Sequence, residues 1–132
     1  SATPSGLALQ SFHSTVIPES RGHITWNIGG KGFDMNLSGL VPSLIAANLP
    51  GTLPQILDGE RLDNFSHWAV HPGGRTILDA VRDGAGLDET ALSSASIMFV
   101  LKDIMCEEPG RGCGLAFGPG LTVESVLFQK VA

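Results

Sequence analysis

The sequence predicts a single α/β domain spanning residues 1–132, a mixed sheet flanked by helices, and three observations predict it. The first 40 residues contain short stretches whose apolar and polar positions alternate at strand period. From His67 onward, short buried-type strands alternate with helical patterns. Residues 95–105 are apolar on nearly every side, and such a helix needs packed layers on more than one face.

The elements follow in order. Residues 7–15 and 23–28 are rich in β-branched and aromatic side chains and are separated by the turn Pro18-Glu19-Ser20-Arg21-Gly22, so both read as strands. Gly29-Gly30 marks a hairpin into residues 31–37, where Phe33, Met35 and Leu37 alternate with Gly32, Asp34 and Asn36. Pro42 suits a first helical turn, and the helix it opens is expected to stop at Pro50-Gly51. Residues 52–57 read as a further helical turn and 58–64 as a polar connection. His67-Trp68-Ala69-Val70 is a short strand of buried type. Gly73-Gly74 then opens an amphipathic helix in which Ile77, Leu78 and Val81 share a face, ended by Gly84 and Gly86. Ser93 or Ser94 is the expected cap of the helix at 95–105. Residues 114–117, the turn Gly118-Pro119-Gly120 and residues 122–131 form a closing antiparallel pair.

Composition narrows the function classes. Of 132 residues 42% are hydrophobic and 16% charged, and the mean hydropathy is +0.19. A free-standing domain carries about 25% charged residues, so part of this surface is expected to be covered by another chain or domain. Eight basic against thirteen acidic residues give a net charge of −5, which offers a phosphate backbone nothing and disfavours nucleic-acid binding. The longest apolar run, Ile97-Met98-Phe99-Val100-Leu101, is far below the ~20 residues of a membrane span. With two cysteines and no stretch resembling a signal peptide, a cytoplasmic location is expected.

One segment points to chemistry. In Trp68-Ala69-Val70-His71-Pro72-Gly73-Gly74 a strand ends in a histidine, a rigid proline and two glycines that enter a helix. Ligands of open α/β sheets bind beyond the carboxyl ends of strands, and a histidine placed there can donate to a developing oxyanion or move a proton. The same residues also satisfy a purely structural strand-to-helix turn. His67 and His71 fall about 13 Å apart if the segment is a strand, too far to share a metal, and no metal site is expected. His13 and His23 read as ordinary strand or surface residues. Cys106 and Cys113 flank an acidic, glycine-rich stretch that works against a reactive thiolate. Ser93-Ser94 lacks the Gly-x-Ser-x-Gly elbow of a hydrolase.

Taken together, the HPGG block (71–74), Ile77-Leu78-Asp79, Ser93-Ser94-Ala95-Ser96 and Phe117-Gly118-Pro119-Gly120-Leu121-Thr122-Val123-Glu124 resemble, in order and spacing, the C-terminal portion of type III polyketide synthases, the chalcone and stilbene synthase family. The similarity extends more weakly back to about Leu7. It implies the C-terminal half of a thiolase-like fold, working in a homodimer, with an acyltransferase function. Such an enzyme extends an acyl-CoA starter with malonyl-CoA by decarboxylative condensation and cyclisation, with CoA thioesters as substrates and no other cofactor. The resemblance implies that His71 is the catalytic histidine and that Gly73, Gly74 and Thr76 lie at the CoA tunnel. It also implies a cyclisation pocket shaped by Phe117, Gly118, Pro119 and Gly120, with Trp26, Met35 and Ser93 on its wall.

Two departures qualify this. The family's nucleophilic cysteine belongs to an N-terminal half, which is therefore an expected partner. The family's asparagine before the serine block is absent: that position is Ala91 when anchored on Ser93, and lies in a deleted segment when anchored on Gly86-Leu87-Asp88. The chain alone is expected to be inactive. A non-catalytic domain that binds a CoA thioester or scaffolds a synthase is the competing reading, and a fatty-acid-type condensing enzyme a third.

Overall fold

The computed structural model describes residues 5–93 and 96–132. The described residues form β1 (Gly6–Val16), β2 (Ile24–Gly29), β3 (Gly32–Leu37), α1 (Val41–Ile56), β4 (His67–Val70), α2 (Arg75–Ala85), α3 (Ile97–Met105), β5 (Gly110–Gly118) and β6 (Thr122–Val131). A turn of 3-10 helix covers Leu62–Asn64. The mixed sheet has the order β1-β6-β5-β4, with β4 parallel to β5 and the other neighbours antiparallel. β2 and β3 form a separate hairpin.

The two faces of the sheet are covered unequally. On one, Trp68, Val70, Cys113, Leu115, Val123 and Leu127 pack into the same core as Ile45 and Leu49 of α1 and Ile77, Leu78 and Val81 of α2. On the other, Ala69 and Phe128 meet Val100 and Ile104 of α3. The register of β1 shifts between Leu9 and Ser11. That irregularity puts Leu9 and Phe12, opposite Phe128 and Val126, on the α3 face together. α3 leaves this end of the face bare, and Phe12 is 73% exposed.

Four expectations need correction. α1 does not stop at Pro50-Gly51 but continues to Ile56, with Pro50 and Pro54 inside it. An interior proline costs about 3 kcal/mol. Burying Leu49, Ile56 and Leu57 offsets this at about 1.5–3 kcal/mol each. The N-cap position of α3 is Ser96, which makes no side-chain capping bond, rather than Ser93 or Ser94; Ser94 and Ala95 lie outside the described residues. Nor is α3 buried all round: Val100 and Ile104 are, whereas Met98 and Phe99 are exposed together with Leu9, Phe12 and Val16. Among the described residues, Val100 and Ile104 of α3 with Ala69 and Phe128 form the buried cluster on that side, and these five side chains lie outside it.

β5 also begins four residues earlier than expected, which places Cys113 inside a strand rather than at a loop end. At the start of β5, Arg111 lies over the Phe65 ring at 4.9 Å and pairs with Glu60. That guanidinium holds the Glu60 carboxyl below its usual range.

Candidate active site

β4 ends at Val70, and the turn that follows sets the site. The His71 N–H donates to the Leu115 carbonyl of β5 at 2.8 Å, and the Gly73 N–H donates back to the His71 carbonyl at 3.0 Å. Gly74 follows at φ 130°, which side chains disfavour, and its carbonyl accepts from Ile77 and Leu78 to start α2. The residue type therefore matches the backbone that the turn requires. The His71 side chain emerges exposed beyond the carboxyl end of β4, close to the N-terminal turn of α2, which has no side-chain cap.

Beside it opens an apolar cavity of about 60 Å³ lined by His71, Gly73, Ile77, Phe117, Val41, Ile24 and Leu37. Parallel pairing explains why His71 and Phe117, 46 positions apart, meet there: β4 runs alongside β5, Val70 opposes Leu115, and Phe117 is the next residue of β5 on that face. Gly118 pairs with Thr122 across the β5–β6 turn. Thr122 Oγ1 donates to the Pro119 carbonyl at 2.9 Å, and the Gly120 N–H donates to the Ile24 carbonyl at 2.7 Å. The turn is thereby fastened to the base of the hairpin. Trp26 and Met35 are direct cross-strand partners, one same-face pair beyond Ile24 and Leu37. Thr76 is exposed in the first turn of α2.

Ser93 lies elsewhere. It lines a different cavity, of about 600 Å³, with Ala91, Trp68, Ile104 and His67. That cavity adjoins the start of β4, and His71 follows its other end. His67 is buried there, its Nε2 3.0 Å from the Glu108 carbonyl and its Nδ1 3.4 Å from Glu107. Among the described residues no group of three His, Cys, Asp or Glu could hold a metal. Neither cysteine lines the His71 cavity. Burial pushes the Cys113 thiol up to about 12, whereas Cys106 is exposed at the end of α3.

Ser20 is the residue sequence reasoning missed. It is fully buried, and its Oγ lies 2.5 Å from the Ile17 carbonyl and 3.2 Å from that of Gly120. It thus ties the β1–β2 turn to the β5–β6 turn. A serine after Pro18-Glu19 reads as any turn serine, so nothing local announces this. Ile24 and Leu37 could have been found, since they share the period-two face of Trp26 and Met35.

The chain and its fold match a known class of protein. Residues 8–132 match the family of chalcone and stilbene synthases, C-terminal domain, and the chain belongs to that family. Among solved structures it is similar to PKS-I of the brown alga Ectocarpus siliculosus, with 28% identity and a TM-score of 0.84 over 99% of this chain. It is similar to 1,3,6,8-tetrahydroxynaphthalene synthase of Streptomyces coelicolor A3(2), a bacterial type III polyketide synthase, with 25% identity and a TM-score of 0.82 over 99% of this chain. The type III polyketide synthase domain of Steely1 from Dictyostelium, 21% identical with a TM-score of 0.79 over 96% of this chain, shares the fold. The chain spans 41%, 43% and 41% of those three proteins in turn. Its fold is the C-terminal half of the thiolase-like fold. No helix among the described residues is long and apolar enough to cross a membrane.

Proposed function

We propose that this chain supplies the histidine half of a type III polyketide synthase, an acyltransferase that condenses an acyl-CoA starter with malonyl-CoA. One observation carries the reading: the His71 ring stands exposed beyond the carboxyl end of β4, against an apolar cavity shared with Phe117. The step it serves is the loss of CO2 from malonyl-CoA. The bond from the α-carbon to the carboxylate breaks, and its electron pair becomes an enolate with charge on the thioester oxygen. A ring N–H of His71 donates to that oxygen. The enolate carbon then attacks an acyl thioester held on a cysteine, forming a carbon–carbon bond and expelling the thiolate. That cysteine comes from an N-terminal half, because Cys113 is buried and Cys106 lies away from the cavity. The bare side formed by Leu9, Phe12, Val16, Met98 and Phe99 supports such a partner, since it offers it an apolar face to cover. Gly73, Gly74 and Thr76 border the path of the CoA arm, Trp26, Met35 and the 117–120 turn shape the pocket, and the assembled enzyme is a cytoplasmic homodimer.

The test is decarboxylation and product formation by the chain assembled with a cysteine-bearing half, given malonyl-CoA and an acyl-CoA. Removing one oxyanion donor typically lowers kcat by about 10²–10³, so His71→Ala is expected to lose CO2 release by that factor. Equal CO2 release by the variant refutes the role of His71.

A second reading is favoured by a separate observation: among the described residues no asparagine lines the His71 cavity, and Ala91 and Ser93 line another. Catalytic groups that act as a unit lose most of their effect when one is missing. On this reading the chain binds a CoA thioester or scaffolds a synthase without turning over. Inserting an asparagine-bearing segment ahead of Ser93 separates the two, because only a synthase gains activity.

A further inference from the structure

The cavity of about 600 Å³ at the start of β4, opposite the end that His71 follows, has a lining that the condensation chemistry does not use. Its floor is apolar: Phe65 and Trp68, edge to face at 6.4 Å, with Leu87, Leu92 and Ile104. Four carboxylates stand around that floor. Asp103 and Glu107 lie one turn apart at the end of α3, Asp63 comes from the 3-10 turn, and Asp88 from the segment after α2. No lysine or arginine lines the cavity. Among the described residues only Asp63 of the four pairs with one, the exposed Arg61 at 2.9 Å.

His67 shows what the cavity lacks. Its side chain is only 5% exposed and forms part of the lining. Nε2 lies 3.0 Å from the Glu108 carbonyl, which can only accept, so Nε2 carries the proton. In the neutral ring Nδ1 is then an acceptor, and so is its neighbour, the Glu107 carboxylate at 3.4 Å. Two acceptors thus face each other, and a positively charged donor placed between them satisfies both.

A metal ion does not fit, since among the described residues no three His, Cys, Asp or Glu side chains are grouped to hold one. The carboxylates are spread around an apolar floor, so the cation that suits them is spread as well. The volume falls within the roughly 300–1,000 Å³ of small-molecule sites.

We propose that this cavity binds a linear aliphatic polyamine. Its ammonium groups meet the carboxylates, one of them donates to His67 Nδ1, and its methylenes lie over Trp68 and its apolar neighbours. The site does not depend on the function proposed above.

Trp68 lines the cavity and Trp26 is the only other tryptophan, so in a Trp26→Phe background the emission reports the cavity alone. Spermidine is expected to change that emission saturably and to bind about tenfold more tightly than butylammonium, which has a similar chain and one charge. Putrescine is expected to bind more tightly than Mg²⁺ of equal charge. Asp88→Asn and Asp103→Asn, at exposed positions, are each expected to weaken spermidine about three- to tenfold. His67→Phe, which removes the acceptor, is expected to do the same; should it fail to fold, the two exposed variants still decide. Glu124→Gln on β6, outside the lining, is expected to leave spermidine binding unchanged. Equal affinity for Mg²⁺ and spermidine, or an equal loss from Glu124→Gln, overturns the proposal, because either makes the binding a response to net charge. So does spermidine binding that disappears once a cysteine-bearing half is assembled on the chain, the outcome if the cavity is a seat for that half.

Discussion

Replacing Ser20 by alanine tests whether the turn beside the site is held from beneath. The hydroxyl has one proton and two carbonyls within reach, those of Ile17 at 2.5 Å and Gly120 at 3.2 Å, in a side chain fully removed from water. Ser20→Ala deletes a single atom, so the cavity contribution is small. The cost is that of leaving buried carbonyl oxygens without this donor, about 1–3 kcal/mol. Against a domain stability of roughly 5–15 kcal/mol that is a large fraction. Urea unfolding with a slope of about 2 kcal/mol per molar turns it into a midpoint lower by about 0.5–1.5 M at unchanged slope. Ser43→Ala is the matched control, because the Ser43 hydroxyl also donates to a carbonyl, that of Leu40 at 2.8 Å, but from an exposed position. It is expected to shift stability by less than about 0.5 kcal/mol. The Gly120 amide, bonded to the Ile24 carbonyl at 2.7 Å, should exchange faster in Ser20→Ala and not in Ser43→Ala. If the two variants unfold at the same midpoint, Ser20 is not what fastens the turn.

Two more predictions concern the sheet. A Cβ added at Gly112 would overlap the Phe128 ring, which is packed against α3 through Val100 and Ile104; Gly112→Ala should cost about 1–3 kcal/mol. Pairing it with Phe128→Leu should recover part of that loss in urea unfolding, and purely additive effects would argue against the contact. Cys113 supplies a pH test. Its folded-state value is raised by burial from 9.0 to about 12, so above pH 9 the unfolded chain releases a proton that the native chain keeps, and stability falls as pH rises. The loss between pH 8 and pH 10 is about 1.4 kcal/mol, and Cys113→Ala should lack that increment; matching pH slopes in the two proteins would count against the burial.

What could be read from the chain in advance follows from which forces act locally. The hairpin of β2 and β3 and the β5–β6 pair were legible because alternation at period two and glycine-rich turns are local signals, and β6 begins and ends where the pattern does. The end of α1 was not. Proline chemistry predicts a stop at Pro50, but the helix continues because Leu49, Ile56 and Leu57 are buried by elements distant in sequence. His71, Gly73 and Gly74 were legible as a turn entering a helix. That Phe117 joins them depends on the parallel register of β4 with β5, which no local pattern records.

The two apolar surfaces of this domain differ in what they can hold. Leu9, Phe12 and Val16 come from β1, and Met98 and Phe99 from α3, so that surface is assembled from two elements and spreads across one side of the sheet. A surface of that breadth suits a protein layer, as expected for half of a two-half fold. The hairpin face instead is one ladder, two side chains wide, whose inner pair reaches the cavity of His71. A protein layer laid flat on it would close that cavity. The low charge of the chain, 16% of residues, therefore goes with two separate apolar surfaces rather than one.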